Sequence, residues 1–240
     1  MQSTLDSFAE TQSAEAFALQ NGKLLKVSLD QVTIQAKLGS MVAYQGDVRF
    51  EHAGSGGLGR MIKKATTGEG TRLMKMEGSG EVFLADQAQD VHLITLENDQ
   101  ITCNGANVLA FDAGIDWDIK KVEGGPAAML AGGLFNMVLK GTGQVALISD
   151  GPPVKLDVGA APTFADANAA ITWSSGVTSQ VKVDANVKTL IGRGSGETIQ
   201  VAFSGQGWVL VQPSEGVVQA AASGGGGGGG VGGMLKGLGG

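Results

Sequence analysis

Apolar and polar residues alternate along most of this chain. Leu25, Val27 and Leu29 stand at every second position, as do Val32 and Ile34. Val91, Leu93 and Thr95 alternate with His92, Ile94 and Leu96, and Val177 is followed by Val181 and Val183 with polar residues between. Alternation of period two, broken by Gly, Asn, Asp and Pro, predicts short half-buried strands. Helical periodicity is nearly absent. Residues 13–20 could form a short helix, although a strand through Phe17-Ala18-Leu19 competes for the same positions. Residues 126–138 are a second helical candidate, weakened by Gly132 and Gly133, and residues 58–65 could add a turn or two. The fold class expected is all-β.

A second regularity lies above the strands. Gly78-Ser79-Gly80, Gly141-Thr142-Gly143 and Gly205-Gln206-Gly207 each interrupt an apolar run that then resumes. Their first glycines lie 63 and 64 residues apart (78 to 141 to 205). An aromatic motif recurs in step: Ala43-Tyr44-Gln45, Ala110-Phe111-Asp112 and Thr172-Trp173-Ser174. A fixed period of this length is the mark of one unit copied in tandem. Residues 29–44 align with 96–111 without a gap, whereas the third copy, 156–173, is two residues longer and carries Pro162.

The repeat predicts three tandem β-sandwich-like units with pseudo-threefold symmetry. The single closed body spans residues 1–222, with units at approximately 15–54, 70–123 and 135–187. Because the first unit has no Gly-x-Gly strand ahead of it, residues 197–213 are expected to complete that unit and close the structure. Closure would remove an exposed sheet edge. Residues 223–240 include seven consecutive glycines, costly to order and with nothing to bury, and are expected to form a flexible tail with an apolar tip at Met234, Leu235 and Leu238.

Composition narrows the function classes. The chain has 240 residues, 42% of them apolar, which suffices for a substantial core. The net charge of −6 argues against DNA and RNA as partners, since the densest basic cluster is only Arg60, Lys63 and Lys64. One cysteine, Cys103, excludes a disulfide framework within the chain and suits a reducing compartment. It sits in an alternating run with no histidine nearby in sequence, as a small core residue would. No secretory signal is legible at the N-terminus, and the long uncharged stretches are too rich in glycine to span a bilayer. A cytoplasmic location is expected.

Candidate chemistry is sparse. A Gly-x-Gly phosphate cradle needs a third glycine opening a helix, but here a strand follows each time. Gly78, Gly80, Gly141, Gly143, Gly205 and Gly207 are therefore expected to be structural, at bulges or tight bends. The two histidines, His52 and His92, are far apart in sequence, and the acidic residues Asp112, Asp116 and Asp118 offer too few donors in a fixed register for calcium. No serine stands in a nucleophile-elbow context. No catalytic residue, metal or cofactor is expected. Tyr44, Phe111 and Trp173 are the one candidate binding set. They could line a site on the symmetry axis, or each could plug the core of its own unit, the preferred reading.

The Gly-x-Gly-x-Val-x-Leu pattern, the run from Gly39 to Tyr44 and the glycine-rich end resemble the family named for altered inheritance of mitochondria, whose bacterial members carried a domain-of-unknown-function label. The resemblance covers most of residues 15–215. It implies a fold similar to the tryptophan RNA-binding attenuation protein, with β units about a pseudo-threefold axis. It implies no catalytic residue. The function expected is that of a non-catalytic scaffold or interaction protein acting as a homo-oligomer, with weak peripheral membrane contact through the tail. The alternative is a module for a small ligand or single-stranded RNA.

Overall fold

The computed structural model describes residues 4–52, 72–121, 135–182 and 200–214. In them the alternation becomes fifteen strands. The first five are β1 (Phe17–Asn21), β2 (Leu24–Asp30), β3 (Ile34–Lys37), β4 (Met41–His52) and β5 (Leu73–Leu84). Then follow β6 (Asp90–Asn104), β7 (Val108–Asp112), β8 (Asp116–Lys121) and β9 (Phe135–Ser149). The last six are β10 (Val154–Asp157), β11 (Thr163–Asp166), β12 (Ala170–Ser174), β13 (Val177–Lys182), β14 (Gln200–Gly205) and β15 (Trp208–Val211). Among the described residues the only helical turns are the short 3-10 segments Leu5–Phe8 and Gly105–Asn107. The all-β expectation holds. The competition at residues 13–20 goes to the strand, because Phe17 is buried and β1 pairs with β2. Phe135 opens β9, so the C-terminal end of the second helical candidate is extended. The rest of that candidate, residues 58–65 and the tail lie outside the described residues.

All recorded strand pairs are antiparallel. Twelve strands form one sheet, in the order β1-β2-β5-β3-β7-β9-β6-β12-β15-β10, with β4 added on β5 and β8 on β9. The remaining three form a sheet in the order β11-β14-β13.

Register explains the role of the Gly-x-Gly breaks. Strand β5 pairs with β2 through residues 79–84 and with β3 through residues 73–76, while β4 runs along its whole length. Strand β9 does the same with the two ends of β6 on one side and β7 and β8 on the other. Either side of the third break, β14 pairs with β11 and β13, and β15 pairs with β10 and β12. Tyr44 lies opposite Val82, Phe111 opposite Val145 and Trp173 opposite Val209, each two residues past the second glycine.

These pairings overturn the expected closure. Strands β14 and β15 complete the segment immediately before them, not the first one. Each Gly-x-Gly strand turns back on the strands that precede it in the chain. That is the pairing of shorter sequence separation, with the smaller loop-closure cost.

Alternating side chains fill three apolar clusters. Leu25, Ile34, Met76 and Leu84 centre the first, with Phe50 packed against it. Phe111, Ile115, Leu139 and Leu147 lie in the second, and Trp173, Phe203 and Val209 in the third. A buried polar seam ties the third segment to the second. The Gln212 side-chain oxygen accepts from the Asp150 amide at 3.0 Å and from Asn107 Nδ2 at 3.3 Å, and its Nε2 donates to the Asn168 carbonyl at 3.1 Å. Asn107 Nδ2 also donates to the Ile148 carbonyl at 2.8 Å.

Candidate functional site

The three aromatic residues share a register but not a site. Phe111 is fully buried in the second cluster, between β3 and β9. Trp173 is 4% exposed in the third, where its ring meets Phe203 edge-on with centroids 5.2 Å apart. Tyr44 is 50% exposed and stacks edge-on against Phe50 at 5.3 Å. Phe111 and Trp173 are core residues of separate clusters, and Tyr44 lies on a strand whose outer edge has no partner strand among the described residues.

All six glycines of the repeated motif have positive φ, from 116° at Gly205 to 154° at Gly80. Space adds a second requirement at most of them. A Cβ on Gly80 would sit 2.1 Å from the Gln45 carbonyl oxygen, and one on Gly205 would sit 2.2 Å from that of Gly176. Gly141 differs, since the nearest atom, Ile115 Cα, is 3.7 Å away. The amides that follow are engaged in protein contacts. The Gln144 amide donates to the Asp112 carboxylate at 2.5 Å and the Trp208 amide to Ser174 Oγ at 3.1 Å.

One serine–histidine contact escaped the sequence reading. His92 Nε2 lies 2.7 Å from the Ser149 hydroxyl, which donates to the Gly151 carbonyl at 2.7 Å. A hydroxyl has one proton. With that proton on Gly151, the bond to His92 needs a proton on Nε2, so the ring donates and does not act as a base toward Ser149. Burial of the ring pushes the His92 pKa below its ordinary value, against the opposing pull of Asp90. Asp90 itself pairs with Lys23 at 2.9 Å. The two partners are far apart in sequence and meet only because β6 pairs with β9.

The other reactive groups are also committed. Cys103 is buried, its thiol is pushed up to about 12 by desolvation, and it contacts the Thr172 hydroxyl at 3.3 Å. It is a small core residue, since a thiol that stays protonated is a poor nucleophile. Lys26 is the least expected feature: its side chain is 2% exposed. Its ammonium lies 2.6 Å from Glu81 and 3.1 Å from Glu10, and donates to the Thr11 carbonyl at 2.9 Å. Desolvation lowers its pKa, but the hydrogen bonds and charges of Glu81 and Glu10 outweigh it and hold the value above the ordinary one. Glu81 is held low by its hydrogen bonds with the Glu10 side chain and with Lys26. No pattern in the sequence marks this lysine except its place between Leu25 and Val27.

Asp118 accepts from the Ile119 amide at 2.9 Å. Among the described residues, no three His, Cys, Asp or Glu side chains gather as a metal site. No helix among them is long and apolar enough to cross a membrane.

The architecture and its committed polar groups define a class, an antiparallel β protein built around bent Gly-x-Gly strands. The chain matches the family described as mitochondrial biogenesis AIM24 over residues 17–214, and it belongs to that family. No curated protein sequence matches it. Among solved structures it is similar to the crystal structure of protein SPYM3_0169 from Streptococcus pyogenes, with a TM-score of 0.67 and 20% identity, over 82% of this chain and 92% of that one. At that identity the likeness is one of fold.

Proposed function

We propose that this chain is a non-catalytic interaction protein that works in the cytoplasm as a homo-oligomer, through the edges and faces of its sheets. The observation that carries the reading is where large apolar side chains stay in solvent. Val42 and Tyr44 on β4, Val154 on β10 and Phe164 on β11 are all exposed, and each lies on a strand with a single partner strand among the described residues. Unpaired strand edges bearing apolar side chains are ready templates for another chain. The shared register of the three Gly-x-Gly strands supports a pseudo-threefold arrangement of the segments. The commitment of His92, Ser149, Cys103 and Lys26 to internal contacts supports a role without turnover. The tail, residues 223–240, would add weak contact with a partner or a membrane surface.

The test compares the full chain with one ending at residue 222. Native mass spectrometry should give a species larger than one chain of 24.3 kDa. The truncated chain should melt at the same temperature but bind phospholipid vesicles more weakly. A saturable turnover abolished by His92→Ala in a monomeric protein would overturn the reading.

A further inference from the structure

The segments of this chain are joined by one recurring strand pair, and among the described residues a third set of the same edges has no partner strand. At the first junction β3 pairs with β7, placing Ile34 opposite Asp112, Gln35 opposite Phe111 and Ala36 opposite Ala110. At the second, the end of β6 pairs with β12, placing Ile101 opposite Ser174, Thr102 opposite Trp173 and Cys103 opposite Thr172. In both, the strand before the turn of one segment meets the aromatic strand of the next.

Register identifies the corresponding strands elsewhere. Ile34 faces Met76, Ile101 faces Leu139 and Thr163 faces Phe203, in each case two residues before the first glycine. Strand β11 is therefore the third equivalent of β3 and of the end of β6. By the register opposite Val82, Val145 and Val209, the first half of β4 is the third equivalent of β7 and β12. Yet among the described residues β4 pairs with β5 alone and β11 with β14 alone. Exposure follows this difference. The aromatic residue is buried at both formed junctions, whereas Tyr44 is half exposed. Phe164, the counterpart of Gln35 and Thr102, is 49% exposed, with Lys182 Nζ 5.2 Å from its ring centre.

We propose that β11 of one copy pairs antiparallel with β4 of a second copy, head to tail, repeating between chains the junction made twice within each. The register carries over: Phe164 opposite Tyr44, Thr163 opposite Gln45 and Ala165 opposite Ala43. The contact buries two aromatic rings and satisfies two strand edges. The edges are different, so the interface is heterologous and generates a ring or a filament rather than a twofold dimer. This rests on the homo-oligomer reading above and names its surface.

The experiment uses Tyr44→Glu and Phe164→Glu in the full chain, with melting curves to show that each folds. If Tyr44→Glu fails to fold, Val42→Glu on the same strand replaces it. If Phe164→Glu fails, Phe164→Ser does. Native mass should show wild type as a multimer and each variant as a monomer. Mixed in equal amounts, the two should form heterodimers, because one keeps an intact β11 and the other an intact β4. A mixture of Tyr44→Cys and Phe164→Cys chains should form a disulfide on oxidation that neither forms alone. Monomeric wild type would end both this proposal and the oligomer reading. A multimer that survives both charged variants would end this proposal alone. Disruption by Tyr44→Glu only would mean β4 pairs with β4, and would equally overturn it.

Discussion

At the scale of single residues, Lys26 shows how a charge survives in a sheet interior. Its side chain is nearly inaccessible, whereas those of Glu10 and Glu81 are 28% and 33% exposed. The two sides of the cluster should therefore respond differently to mutation. Replacing Glu10 and Glu81 together by Ala strands a buried ammonium, with a loss of about 3–5 kcal/mol expected from urea unfolding. Lys26→Met removes the charge that is costly to bury and leaves carboxylates that can rehydrate, so it should cost less than the double change. The pH dependence follows in sign. The folded pKa of Glu81 lies below its ordinary value near 4.5. Its stabilisation is thus complete above pH 4.5 and lost as pH falls through the lowered value. Lys26 contributes fully below pH 10.5, and that contribution is lost as pH rises through its raised value. Urea midpoints measured below pH 4.5 should fall less steeply in Glu81→Gln than in wild type.

At the scale of elements, the bent strand explains both repeated motifs. The glycines stand where each long strand passes from one set of neighbours to another, and the aromatic motif lies on the strand beside them. Gly141→Ala meets only the backbone strain of positive φ, an expected loss of about 1–3 kcal/mol. Gly80→Ala adds a collision with the Gln45 carbonyl and should lose more. Gly114→Ala, in open space without positive φ, should be close to neutral. Thermal melts of the three variants give the order directly. The aromatics separate by burial. Phe111→Ala and Trp173→Ala should each cost about 3–5 kcal/mol as core cavities. Tyr44→Ala should cost well under half of either when unfolding is measured on monomeric protein, since its ring is half in water.

At the scale of the whole molecule, the sequence alone determined the strands, the Gly-x-Gly breaks and the family resemblance. These depend on local alternation and on self-similarity, both written directly in the order of residues. Leu25, Val27 and Leu29 declare a strand before any partner is known. The buried place of Cys103 was also legible, as a small residue within an alternating run. What the sequence left open was which strand lies beside which. Identical motifs recurring along a chain are compatible with pairing forward or backward, and the expected closure by residues 197–213 took the wrong direction. The fate of Tyr44, Phe111 and Trp173 was undetermined for the same reason: one motif is core or surface according to what covers it. Lys26 with Glu10 and Glu81, and His92 with Ser149, came together only in the tertiary structure. Their spacing carries no period and their bonds cross strands, so burial and hydrogen-bond satisfaction in the assembled sheet decided them.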